Sequence, residues 1–171
     1  KYHQVEADVA FKKQISEIYV EVKPDITFVH DTSDHWPDHV ACGIGTKDAV
    51  LFSHGLSGDL STQRCPRVFA YNLTPGQQIS FEPDYFVDVT DVMPQYMELL
   101  QNTDSCLSGK PPEEMLRYEV KDLASGKSMK TSGHGWLRMN QCALWGQSTR
   151  SSAVYAIGLK NLWGPGETPL W

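Results

Sequence analysis

Leu116-Arg117-Tyr118-Glu119-Val120-Lys121 alternates apolar with charged residues at a period of two. An extended chain therefore carries Leu116, Tyr118 and Val120 on one face and Arg117, Glu119 and Lys121 on the other. A segment with one apolar and one charged face suits an antiparallel strand that covers a core on one side and meets water on the other. Comparable short runs recur at 26–30, 40–44, 49–53, 68–73, 79–81, 85–89, 136–145 and 154–159. Gly, Pro, Asp, Asn and Ser clusters separate them, which gives about nine short strands. Ser125-Gly126 supplies a hairpin turn between a strand ending near Leu123 and one starting near Gly135. With no long helical pattern alternating with these runs, the sequence predicts an all-β fold, an antiparallel β-sandwich with one or two short helices.

Two segments keep α+β as the alternative. Phe11, Ile15, Ile18 and Val22 repeat at helical spacing, although Ile18, Val20 and Val22 also alternate as a strand would. Between Asp91 and Asn102, a capping Asp, an early Pro94 and apolar Met93, Met97 and Leu100 predict a short helix. The 171 residues contain no internal repeat or low-complexity tract, so 1–171 reads as a single β-rich globular domain.

The formal net charge of −6 offers no basic field for a phosphate backbone, which argues against nucleic acid as a partner. No apolar stretch approaches the roughly 20 residues of a membrane-spanning helix. The chain begins with Lys1 rather than Met, which fits a processed chain that has lost a signal peptide, or a trimmed one. Cys42, Cys65, Cys106 and Cys142 form an even, widely spaced set without a Cys-x-x-Cys pair, which predicts two disulfides whose pairing stays open among three choices; reduced thiols in a cytosolic protein are the alternative. Asn72-Leu73-Thr74 is a glycosylation sequon, followed by an unfavourable Pro75. Together these features predict a secreted, extracellular glycoprotein.

The densest group of chemically capable side chains is His30-Asp31-Thr32-Ser33-Asp34-His35-Trp36-Pro37-Asp38-His39. Imidazole and carboxylate both ligate zinc, so His30, His35, His39, Asp31 and Asp38 are the candidate donors for a divalent metal. Their spacing matches no established metal pattern, and Pro37 lies between His35 and His39, so a polar loop between strands is the competing reading and no cofactor is required. A hydrolase could draw on Ser53, His54 and Ser57 with Asp59 or Asp38, but the Gly-x-Ser-x-Gly elbow is absent. Cys42 could serve as a nucleophile only if it escaped a disulfide. Glu113 with Glu114, or Asp88 with Asp91, are acid pairs better read as a helix start or a solvated loop.

Five tryptophans are many for this length. Trp36, Trp136 and Trp163, with His134, are the candidate ligand-binding residues, because a rigid amphipathic indole stacks on a sugar ring or anchors a protein at low entropic cost. No catalytic template is met, so the sequence favours recognition of an extracellular protein or glycan over catalysis. The alternatives are a metal-dependent or hydrolytic enzyme built on residues 30–39, and a structural or assembly subunit.

Overall fold

The computed structural model describes residues 4–58, 67–72 and 81–163. Its architecture is mixed α/β and not a sandwich: helix α1 Val9–Val22, strand β1 Ile26–His30, helices α2 Pro37–Leu51 and α3 Ser53–Ser57, strands β2 Arg67–Tyr71 and β3 Tyr85–Asp88, helices α4 Met93–Ser108 and α5 Pro112–Met115, the hairpin β4 Tyr118–Lys121 and β5 Ser128–Thr131, helix α6 Gly133–Ser148, and strand β6 Ala156–Trp163. The strands form one four-stranded sheet of order β1-β2-β6-β3 and the separate hairpin β4-β5. The chain divides into two compact units, Lys1–Tyr85 with Leu159–Trp171, and Phe86–Gly158.

In the first unit β1 and β2 are parallel, Ile26 opposite Arg67 and His30 opposite Tyr71, while β2 and β6 are antiparallel. Parallel neighbours need a crossover, and α2 and α3 supply it. The expected strands at 40–44 and 49–53 lie in that helical crossover. Pro37 at the first helical position and Asp38 in the first turn start α2. Its buried face consists of Gly43, Gly45, Ala49 and Val50, small residues that let neighbours approach and that leave no large apolar stripe in the sequence. The Phe11 ring of α1 sits so close to Gly45 that a Cβ there would lie 2.3 Å from it. Asp8 caps α1 by accepting the Phe11 amide at 2.8 Å, and Ser16 of the same helix donates to the Ser53 carbonyl at 3.0 Å. The helical alternative for this segment is the one found, but its buried positions are Ser16 and Tyr19, whereas Ile18 and Val22 are exposed. Tyr19, Val29, Val50, Val68 and Ala70 close the core, with Leu162 packed against it.

The second unit is built on Val89, Met93, Met97, Met139, Cys142, Ala143 and Tyr155. The expected helix near 91–102 is α4. The run 136–145, expected as a strand, lies in α6: Ser132 caps it through the Gly135 amide at 3.1 Å, and its buried positions Gly135, Arg138, Met139, Cys142, Ala143 and Gly146 follow a helical period. The expected turn at Ser125-Gly126 is present, with Gly126 at φ 73°, but its second strand begins at Ser128 and is only four residues long. Expected strand 79–81 falls largely outside the described residues.

The two-bridge expectation is also overturned. Cys42, Cys106 and Cys142 are free thiols, so two intrachain bridges are excluded; Cys65 lies outside the described residues. Asn72 is only 5% exposed, which lends the glycoprotein expectation no support. Neither of these arguments for export is supported by the structure.

Candidate functional site

Because β1 and β2 run the same way, their carboxyl ends open on one rim, the place where ligands bind in open α/β sheets. His30 ends β1 and Tyr71 ends β2, with ring centroids 5.1 Å apart and edge-on. The Asp31 amide donates to the Tyr71 carbonyl at 3.1 Å and carries the ladder one step beyond the strands. The chain then turns on its own aspartates. Asp31 Oδ1 accepts the Ser33 amide at 2.9 Å and the Ser33 hydroxyl; Asp34 Oδ1 accepts the Trp36 amide at 2.9 Å. These side-chain turns return the chain to the rim, where α2 begins and presents His39.

Asp34, 6% exposed, is the centre of the group. Its Oδ2 lies 3.0 Å from His39 Nδ1 and its Oδ1 3.5 Å from His35 Nδ1. A carboxylate at Nδ1 fixes the proton there and leaves Nε2 of His39 as the basic nitrogen, the same orienting role that carboxylates play behind catalytic and metal-binding imidazoles. The His30 ring stands 5.3 Å from the His39 ring, and the indole of Trp36, 42% exposed, stands 6.3 Å from it on the open side. Gly43 makes this approach geometrically feasible: a Cβ there would lie 2.4 Å from the His30 carbonyl oxygen.

Burial, and then the neighbouring His39, push the His30 imidazole below its ordinary value of 6.5; Asp34 and a hydrogen bond to the His39 backbone pull the other way without reversing the shift. His30 is therefore neutral at pH 7. Burial and the Asp38 charge raise the Cys42 thiol, so it is not poised as a thiolate nucleophile.

Of the residues singled out in the sequence, the structure gathers His30, His35, Trp36 and His39 around one carboxylate. That carboxylate is Asp34, not the Asp31 or Asp38 named as metal donors: Asp31 shapes the loop, and Asp38 accepts the Val5 amide at 3.1 Å. Ser53 is buried beside α1; the side chains of His54 and Ser57, and Asp59, lie outside the described residues. Glu113 and Glu114 occupy the first turn of α5, and Asp88 accepts the Thr90 amide. Trp136 and His134 belong to the second unit, Trp136 against Tyr118 at 6.0 Å and His134 Nδ1 at 2.8 Å from Asp104 Oδ1. Trp163 ends β6, the last described residue of the chain. Among the described residues no group of three or more His, Cys, Asp or Glu side chains is placed to hold a metal ion.

No family model matches the chain, and no curated protein matches it. Solved structures do. A conserved protein of Thermus thermophilus superposes with a TM-score of 0.67 at 16% identity, over 98% of this chain and 64% of that one. The 4-carboxy-2-hydroxymuconate hydratase of Pseudomonas putida gives 0.61 at 18% identity, over 99% and 65%. The N,N'-diacetylchitobiose deacetylase of Pyrococcus horikoshii, in complex with an inhibitor, gives 0.63 at 19% identity, over 95% and 55%. The chain thus spans less than two thirds of each of these proteins, and the likeness is one of fold. This α/β fold, free of the expected bridges, overturns the expectation of a disulfide-linked recognition sandwich.

Proposed function

We propose that this chain carries the water-activating centre of a hydrolytic enzyme, with His39 as the base. The observation that supports this reading most directly is the buried Asp34 carboxylate 3.0 Å from His39 Nδ1, at the carboxyl end of parallel strands. A hydratase and a deacetylase share the fold, and both names describe reactions in which water is a reactant. The proposed substrate class is an N-acylated amine, by analogy with the deacetylase.

In this mechanism His39 Nε2 takes a proton from water as the water oxygen bonds to the amide carbonyl carbon. Asp34 stabilises the imidazolium that results. Nε2–H then protonates the amine nitrogen as the C–N bond breaks, releasing a carboxylic acid and the free amine. Neutral His30 stands on the same rim and can donate a hydrogen bond to the oxygen that gains charge. Trp36 supplies a flat apolar wall for the substrate. His30, His35 and His39 are the imidazoles this segment would offer a divalent ion such as zinc; the described residues do not complete a set of donors, so no step above passes through a metal.

The test is acetate release from N,N'-diacetylchitobiose and simpler N-acetylated amines. His39→Ala is expected to lower the rate about 10²- to 10⁴-fold, with partial recovery on adding free imidazole. Release that is unchanged in His39→Ala, or absent from every acylated amine tried, would refute the reading.

A further inference from the structure

The hairpin of the second unit has two outer edges, and its hydrogen-bond phase says which backbone groups point where. The Asp122 amide donates to the Lys127 carbonyl at 2.8 Å, and the register continues with Val120 opposite Met129 and Tyr118 opposite Thr131. Bonded pairs alternate along an antiparallel ladder. Val120 and Tyr118 are therefore bonded to β5, and the N–H and C=O groups of Glu119 and Lys121 face away from it. Lys130, opposite Glu119, obeys the same phase on the far edge, where its outward carbonyl accepts Gln101 Nε2 of α4 at 3.0 Å. Among the described residues no strand pairs with the outer edge of β4. A groove of about 210 Å3 is lined by Glu119, Val120 and Lys121 of β4 together with Trp136, Met139 and Ala143 of α6. Beside it Tyr118, Leu123 and Trp136 keep 46%, 56% and 41% of their surface open.

A free strand edge is matched by another extended backbone, and side-chain charge decides which one. A strand laid antiparallel to β4 and bonded at Glu119 and Lys121 needs an acid opposite Lys121 and a base opposite Glu119. Read in its own direction that requirement is acid-x-base, the pattern of Glu119-Val120-Lys121 itself. We infer that the outer edge of β4 pairs with the same edge of a second copy about a two-fold axis at Val120. Glu119 of each copy then faces Lys121 of the other, each such pair exchanges both backbone hydrogen bonds, and the hairpins join as a continuous sheet β5-β4-β4-β5. The exposed Tyr118, Leu123 and Trp136 supply apolar surface for the second copy to cover.

Sedimentation equilibrium of the whole chain over a broad concentration range tests this. The unchanged chain is expected to approach twice its monomer mass as concentration rises. Glu119→Lys and Lys121→Glu, both at exposed side chains, should each raise the dimer dissociation constant at least tenfold, and the double exchange E119K/K121E should restore it. Hydrogen exchange should show the Glu119 and Lys121 amides becoming protected with concentration. A chain that stays monomeric throughout, a dimer indifferent to both single exchanges, or a double exchange that fails to restore association would each overturn the inference.

Discussion

Gly43→Ala is the sharpest probe of how the candidate site is held. The added Cβ would sit 2.4 Å from the His30 carbonyl oxygen and 3.2 Å from its carbon. Real Cβ atoms essentially never approach another atom within 3.0 Å, so the backbones of α2 and β1 must separate by at least about 0.6 Å, and no side-chain rotation can absorb the clash because the obstacle is backbone. Overpacking of this kind costs about 1–3 kcal/mol. With a urea dependence of about 2 kcal/mol per molar, the unfolding midpoint should fall by roughly 0.5–1.5 M. The same displacement moves His30 relative to His39, and a shift of about 1 Å in a reacting group can cost about 10²-fold in rate. Urea unfolding followed by tryptophan fluorescence, beside acetate release, reads both effects. Gly55→Ala in α3 is the control, since a Cβ there meets nothing within 4 Å; it should be neutral or add up to about 1 kcal/mol. Coincident unfolding curves for Gly43→Ala and the unchanged chain would refute the close approach, and with it the placement of the two imidazoles.

The remaining predictions concern acid stability and one helix end. His30 has a folded-state value below 6.5, so as pH falls through 6.5 the unfolded chain takes up a proton that the folded chain refuses. Stability should therefore decline as pH falls through that value and level off below the folded-state value, with a slope of at most about 1.4 kcal/mol per pH unit, reduced here because the imidazole is only half-buried. His30→Gln should flatten this stretch of the curve in denaturant titrations at pH 5–8, and an unaltered slope would remove His30 as its source. Lys23 follows α1 with φ 51° and ψ 58°, a left-handed conformation that costs a side chain about 1 kcal/mol. Lys23→Gly should raise the melting temperature by a few degrees in calorimetry, about 2–4 °C for a chain of this size; a decrease would argue against the assigned cap.

Strands were legible where large β-branched and aromatic residues carry the pattern, as in Ile26–His30, and illegible as helices where small residues do. α2 buries Gly43, Gly45, Ala49 and Val50 and so shows no broad apolar stripe, while α6 buries Gly135, Arg138, Met139, Cys142, Ala143 and Gly146, a helical period whose apolar residues are diluted by two glycines and an arginine. A better signal was present at their starts, Pro37 before Asp38 and Ser132 before the α6 run, and it points to helix in both places. The parallel pairing of β1 with β2 joins residues about 40 apart and leaves no local trace. Residues 30–39 stood out by composition alone, and Trp36, His35 and His39 do converge. The selection of carboxylates did not follow from composition, because which aspartate faces the imidazoles is set by turns that the aspartates themselves make.

Asp34 joins those two roles in one side chain. Oδ1 holds the Trp36 amide and so the entry to α2, while Oδ2 holds His39 Nδ1. Truncation to Ala would remove both, and a lost rate could then be blamed on a loosened loop. Asp34→Asn separates them, because its carbonyl oxygen can still accept from Trp36 while its amide donates to Nδ1. Donation to Nδ1 forces the His39 proton onto Nε2, the nitrogen that must take a proton from water. A chain that keeps its unfolding midpoint in Asp34→Asn and yet loses at least about 10²-fold in rate would place the carboxylate in the chemistry. Loss of stability with the rate intact would place it in the fold alone.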